Sequence, residues 1–266
     1  MKRKIVESIC FFIIIVSTIY GGIKYKGNNK VDVNKEINAI KVEEYVEEYL
    51  STVTKDEWKN EFIKVMSVII RTSYVYDKIV KQEDDISYVT NSMEVGIKRE
   101  KEELQKINKR ISDARKETKD EVITYHGNII YPFFHEVSSR ITKTEDDVLG
   151  VKFEYLKKKQ CDGDIMSKDF FQIKYFNKKD IEKKFNKNEN INTYEMVKTL
   201  GLNSPNISIT TYTENENILR VVSKGKGHGL GLSIYDANQL AKKGLSYKEI
   251  INSYYKDVLI KKCIYE

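Results

Sequence analysis

Residues 225–244 read Gly225-Lys226-Gly227-His228-Gly229-Leu230-Gly231-Leu232-Ser233-Ile234-Tyr235-Asp236-Ala237-Asn238-Gln239-Leu240-Ala241-Lys242-Lys243-Gly244, and the rest of the chain is read outward from them. Glycine holds every second position from 225 to 231. Lacking a Cβ, it tolerates positive φ and lets the backbone touch a ligand or another strand. The apolar run Ile218 to Val222 leads in as a strand. Ala237, Leu240 and Ala241 then recur at helical spacing, and Gly244 reads as the helix stop. The stretch is therefore a strand, a tight loop carrying one histidine, and a helix. The loop is either a close-packed turn or a backbone surface offered to a ligand. It is not a nucleotide loop: Leu230 stands where a dinucleotide fingerprint needs its third glycine, and Leu232 stands where a P-loop needs lysine.

Upstream of the loop, Ser204-Pro205-Asn206 turns into a strand at Ile207 to Thr210, and residues 140–217 hold short pieces that form a possible subdomain. These include a strand near Phe170 to Phe176 and a helix near Thr193 to Leu200. Val122 to Tyr125 and Ile129 to Tyr131 flank His126-Gly127-Asn128 as a hairpin, and Phe133 to Ser139 continues as a strand. Residues 83–121 are densely charged with a partial helical period, a solvated face or a surface for a partner. From Phe62 to Val80 the chain is apolar-rich, with Phe62, Val65, Met66, Ile69, Ile70 and Ser73 on one helix face. This is the predicted central helix. Its Arg71 is costly there unless paired or reaching a polar cleft. Residues 42–50 fit a helix or a short strand pair. The predicted fold class is α+β, with the central buried helix packed on a mixed or antiparallel sheet and an N-terminal transmembrane helix.

Lys2, Arg3 and Lys4 precede the largely apolar run Ile5 to Ile23, which is near the lower limit for crossing a bilayer. Ser17 to Gly22 fits a signal cleavage site poorly, so an uncleaved signal anchor is favoured over a cleaved signal. The predicted organisation is a cytoplasmic tip at 1–4, an anchor at 5–23, a polar linker at 24–39 and a domain at 40–266. That makes a single-pass membrane protein with its domain outside the cytoplasm. Net charge of +6 is mild, and lysines interleave with Asp and Glu, which speaks against a nucleic-acid partner. Cys10, Cys161 and Cys263 are far apart and form no C-x-x-C; a Cys161–Cys263 pair stays open.

Candidate chemistries narrow by what is missing. There is no H-E-x-x-H and no Cys pair beside a His; Cys161 with His135 and one more ligand is the nearest approach to a zinc site. The acidic loop Cys161-Asp162-Gly163-Asp164 opposes a thiolate nucleophile, and no G-x-S-x-G elbow occurs. Acid–base chemistry on a glycosidic bond remains. Glu57 adjoins Trp58, the only tryptophan, and an aromatic neighbour that desolvates a carboxylate raises its pKa. The alternative for Glu57 is a solvated acid in the first turn of a helix.

Gly225 to Tyr255 resembles the C-terminal signature of the stage II sporulation protein D family, whose members include peptidoglycan lytic transglycosylases and amidase enhancers. Tyr49-Leu50-Ser51-Thr52-Val53-Thr54-Lys55-Asp56-Glu57-Trp58 is similar to its first signature, which places Glu57 on the family's catalytic glutamate. Arg71-Thr72 falls on its Arg-Thr pair, and Phe134-His135-Glu136-Val137-Ser138 resembles its middle signature. Trp58 replaces the usual Met, Ser139-Arg140 replaces a small-residue pair, and Ile234 and Asp236 replace commoner Gln and Gly. The resemblance implies cleavage of the MurNAc–GlcNAc β-1,4 bond by Glu57. It implies substrate contacts from Arg71, His228, Ser233 and His135, stacking by Trp58 and Tyr235, no metal or other cofactor, glycan strands as substrate and an amidase as partner. A non-catalytic amidase enhancer on the same fold is the alternative. Asp56 and Glu61 stand next in line as the acid.

Overall fold

The computed structural model describes residues 39–78, 101–144, 153–185, 193–212 and 215–263. The predicted anchor at 5–23 and most of the linker lie outside the described residues, as do residues 83–100 of the charged segment. Among the described residues no helix is long and apolar enough to cross a membrane.

In chain order the elements begin with helices α1 (Ala39–Val53), α2 (Asn60–Tyr76) and α3 (Lys101–Glu117), then strands β1 (Glu121–Tyr125), β2 (Asn128–Ile129) and β3 (Phe134–His135). A 3-10 turn (Asp162–Met166), β4 (Phe171–Asn177), α4 (Lys178–Lys184), α5 (Thr193–Leu200), β5 (Ile207–Tyr212) and β6 (Asn215–Lys224) follow. The chain closes with β7 (Leu232–Ser233), α6 (Ile234–Lys242), α7 (Tyr247–Tyr254) and β8 (Val258–Lys262). Residues 42–50 are thus helical, settling the alternative left open by their pattern. The molecule divides into two compact units, one of residues 1–132 with 240–266, the other of residues 133–239.

In the first unit α2 is the centre, as its apolar run predicts. It is buried on nearly every side: Ile63, Ser67, Val68, Arg71 and Thr72 are covered as well as the predicted face. It packs on α1, α3, α7 and a sheet ordered β2-β1-β8, antiparallel throughout. β1 pairs with β2 only at Thr124 and Tyr125, across a two-residue turn in which His126 and Gly127 both have positive φ (48° and 83°). Two-residue hairpins need that geometry because their twist must match the strands' own.

Where β2 stops, α2 takes over the open edge of β1. Arg71 Nη1 donates to the Glu121 carbonyl (3.2 Å), and the Ile123 N–H donates to Thr72 Oγ1 (3.0 Å). Arg71 has its charge matched too: Nε and Nη2 grip the two Glu43 oxygens at 2.6 and 3.1 Å, both residues being buried. A charge inside an apolar helix persists only on such terms.

The second unit is built on an antiparallel sheet ordered β4-β6-β5. One face buries Val221 with Phe185, Leu200 and Leu202, and Phe176, Ile181, Val197 and Ile207 pack around them from α4, α5 and the strands. Beside it lies a two-stranded parallel ribbon in which Phe134 pairs with Leu232 and His135 with Ser233. The predicted strand at 133–139 is thus only two residues long, extended by a single bridge from Val137 to Lys226. The mixed α+β class is as predicted.

Candidate active site

The residues singled out by sequence fall in both units: Glu57, Trp58 and Arg71 in the first, His135, His228, Ser233 and Tyr235 in the second. Each group is described within its own unit.

Glu57 lies in the turn between α1 and α2, closed by the Trp58 N–H donating to the Lys55 carbonyl at 3.1 Å. Its side chain is exposed. Trp58 goes the other way. Its indole is 4% exposed and meets Phe62 edge-on, 4.7 Å between centroids. Sequence set Trp58 beside Glu57 as a shield or a sugar-stacking ring; in the structure its indole is an anchor driven into the core of the α1–α2 corner, while Glu57 is exposed.

A residue that the sequence placed on a solvated face holds this turn. Arg110 on α3 donates from Nη2 to the Trp58 carbonyl, from Nη1 to the Asp56 carbonyl (3.4 Å) and from Nε to Asn60 Oδ1 (2.8 Å). One guanidinium thus brackets Glu57 on both sides. Of the two reserve acids, Asp56 is exposed, whereas Glu61 is occupied. Glu61 pairs with Lys64 at 2.6 Å and accepts the Tyr247 N–H at 2.9 Å. Burial pushes its carboxyl up, but the Lys64 and Tyr247 hydrogen bonds outweigh this and leave it below the ordinary value. Arg71, read as a sugar ligand, is fully buried with its donors turned to Glu43 and the backbone.

In the second unit the glycine loop lies against the 133–138 segment. Gly225, Gly227, Gly229 and Gly231 all have positive φ. A Cβ on Gly231 would sit 1.9 Å from the Phe133 carbonyl oxygen, and one on Gly225 would sit 2.7 Å from that of Val137. The close approach that Gly225 and Gly231 permit is therefore to the protein's own backbone, as a close-packed turn requires.

The two histidines bracket one residue of it. The Leu230 N–H donates to His228 Nδ1 (3.0 Å), and His135 Nδ1 donates to the Leu230 carbonyl (3.0 Å). Their rings are 5.7 Å apart. Burial lowers His135 to about 4 and His228 to about 3, so both are neutral at pH 7. His135 thus keeps its proton on Nδ1. Its Nε2 has no hydrogen-bond partner among the described residues.

Asp164, passed over in sequence as part of an acidic loop, joins the two signature segments. It is fully buried in the 3-10 turn; Oδ1 accepts the Ser233 hydroxyl and Oδ2 the Ser138 N–H, both at 2.8 Å. Burial raises its carboxyl to about 6. Asp236 answers from α6, accepting the Gly163 N–H (3.0 Å) and the Lys159 ammonium (2.7 Å). Ser233 is thus buried, with its hydroxyl committed to Asp164. Tyr235 remains partly exposed, its hydroxyl donating to the Met166 carbonyl at 3.1 Å. No sequence spacing signals Asp164, since it lies 69 positions from Ser233.

Burial and the Asp236 charge push the Cys161 thiol up to about 12, far from a thiolate. Cys161 and Cys263 are both free, which closes the pairing left open above. Among the described residues no three of His, Cys, Asp and Glu are grouped to hold a metal ion.

Residues 30–125 match the family described as Stage II sporulation protein. The chain is 23% identical over 264 residues to Stage II sporulation protein D of Bacillus subtilis, covering 85% of this chain and 76% of the relative. It is 22% identical to the protein of the same name from Bacillus amyloliquefaciens, covering 85% and 75%. An uncharacterized protein of Brachyspira hyodysenteriae is 25% identical over 84% of this chain and 67% of its own.

Proposed function

We propose that the chain is a member of the stage II sporulation protein D family, as the match over residues 30–125 and the two Bacillus relatives support, and that it is a peptidoglycan lytic transglycosylase acting in sporulation. The observation that carries the reading is the presentation of Glu57: an exposed carboxyl on a turn fixed by Arg110 from one side and by the buried Trp58 from the other. A general acid must be held where it can reach the bond it protonates.

In this mechanism Glu57 gives its proton to the glycosidic oxygen as the C1–O bond of MurNAc breaks. The 6-hydroxyl of the same sugar attacks C1 and returns its proton to Glu57. The products are a 1,6-anhydro ring and a free GlcNAc 4-hydroxyl, and the carboxyl ends as it began. The nucleophile belongs to the substrate, so neither a second carboxylate nor an activated water is required, in contrast to two-carboxylate hydrolysis. Within the second unit Tyr235 keeps its ring partly exposed and is taken as a ring on which a sugar stacks. Arg71, His135, His228, Ser233 and Trp58 act as positioning residues: they hold β1, the Leu230 peptide, the Asp164 turn and the Glu57 turn. Residues 5–23 anchor the chain in the membrane, the domain works outside the cytoplasm, and an amidase that strips stem peptides prepares its substrate.

The test is muropeptide analysis of peptide-stripped glycan digested with the full chain beside Glu57→Gln. Anhydro products from the parent alone support the reading; products from both variants move the acid elsewhere, to Asp56 first. The burial of Arg71 and Trp58, which leaves neither side chain open to a sugar, favours a second reading in which the chain is a non-catalytic amidase enhancer. Under it neither protein yields anhydro products and both accelerate an added amidase.

A further inference from the structure

Among the described residues the sheet of the second unit is packed on one face only. On the other, Phe171, Ile173 and Tyr175 follow one another at alternate positions of β4, and they are 52%, 46% and 56% exposed. Directly opposite them on the middle strand stand Lys224, Val222 and Arg220. Beyond these, β5 adds the hydroxyls of Ser208 and Thr210, which face Val222 and Arg220. Half-buried apolar stripes on a sheet are normally covered, and an exposed one marks an interaction site.

The chemistry of the stripe says what covers it. The Lys224 ammonium sits 5.8 Å from the Phe171 ring centre, and Tyr175 meets the Tyr212 ring 5.4 Å away. Among the described side chains of this face there is no carboxylate; the charges are Arg220 and Lys224, and Arg220 has no ion-pair partner among the described residues. At the far end Tyr175 lines a cleft of about 430 Å³ that Phe176 and Ile181 make largely apolar, and whose charges are Asp180 against Lys183 and Lys184. Flat aromatic rings with alternating hydroxyls suit the faces and edges of sugar rings. Unmatched cations at intervals along the same track suit a polymer that carries carboxylates at intervals.

We propose that the exposed face of the β4-β6-β5 sheet is a secondary binding surface for a linear polysaccharide bearing free carboxylates. Under the functional reading above, on which only the choice of polymer rests, this is the peptide-stripped glycan strand, whose lactyl groups end in carboxylates. The surface then holds a strand that is cleaved elsewhere, so that its loss is felt on long glycan and not on short.

The test is co-sedimentation of the full chain carrying Glu57→Gln with insoluble peptide-stripped peptidoglycan over a salt series. Tyr175→Ala and Arg220→Glu are each expected to weaken retention by roughly tenfold, and the parent's retention is expected to fall as salt rises. The same glycan with its carboxylates converted to amides is expected to be retained as poorly as by Arg220→Glu. Both side chains project from the sheet, so an unchanged Tm separates lost binding from lost folding; Lys224→Glu is the second variant if either fails to fold. Retention of both variants at the parent's level overturns the proposal and gives the face to a protein partner. A chain that makes no anhydro product yet loses retention in the variants keeps this surface and overturns only the transglycosylase reading.

Discussion

Arg110 and Trp58 are bound through the Trp58 backbone carbonyl, so a residue of the charged helix α3 fixes the corner on which Glu57 stands. The contact joins side chain to main chain, and it therefore constrains the path of the turn whatever side chain the turn carries. Replacing Arg110 by Ala leaves the Asp56 and Trp58 carbonyls to water and frees the corner. Anhydro-product formation is expected to fall in kcat by roughly ten- to hundredfold with KM little changed, since misplacement of a reacting group acts on the chemical step. Steady-state kinetics on a soluble glycan check this. A loss confined to KM would assign Arg110 to substrate binding.

Arg71 and Glu43 make the second prediction. Arg71→Met removes the bidentate partner of buried Glu43 and leaves it Arg115 at 3.9 Å, at a cost of about 3 kcal/mol in unfolding free energy. Arg71→Lys is not a rescue, because an ammonium cannot grip both oxygens and also reach the Glu121 carbonyl. Adding Glu43→Leu to Arg71→Met is expected to recover much of the loss. Urea unfolding of the two single variants and the double variant gives the coupling directly.

Acid stability is set by opposing groups in the second unit. His135 and His228 titrate well below an ordinary histidine, so the stability that they contribute is full above pH 6.5 and is lost as pH falls toward 4 and 3. Asp164 is raised, so its contribution is full below about pH 4 and is lost as pH rises through 6. The histidine shifts are the larger, and the fold is expected to weaken on acidification from pH 6.5. His135→Asn keeps a donor for the Leu230 carbonyl and removes one titration; its stability profile between pH 6.5 and 4 should be shallower by up to one proton. Asp164→Asn should steepen the same limb. Denaturant midpoints at half-unit pH intervals measure both slopes.

Gly231 and Gly244 make an internal comparison. Both have positive φ (67° and 94°), but Gly231 faces the Phe133 carbonyl and Gly244 faces open space. Gly244→Ala is expected to cost about 1 kcal/mol, the backbone strain alone. Gly231→Ala adds a collision with main chain that no rotamer relieves and is expected to cost about 3 kcal/mol or more. Thermal unfolding distinguishes them, and equal losses would show that the loop moves aside.

These residues also show how far the sequence reaches. The path of α2 was plain in its apolar run, and the His126-Gly127 hairpin was plain because two positive φ angles select such residues. The glycine loop was legible as a close approach, but its partner was not, because spacing says that something comes near without saying what. Trp58 beside Glu57 suggested contact, yet adjacent side chains on a turn diverge. Asp164 was illegible for another reason: its meaning lies in Ser138 and Ser233, 26 and 69 positions away, and only the fold brings them together. Arg110 was hidden by the company it keeps, one cation among many on a helix whose outer face is solvated.

The central strand of the first unit has its two partners at very different distances along the chain. β2 follows β1 after a two-residue turn, while β8 reaches Glu121 from Lys262 only after the whole second unit has been threaded between them. A chain emerging from its amino end therefore carries β1 with one edge bare until residues 258–262 arrive. A bare edge is a template for another copy's strand, and closing so long a loop is slow. This strand thus acts as a clasp: cutting it away should drive copies of the chain to aggregate before it touches any residue proposed for catalysis.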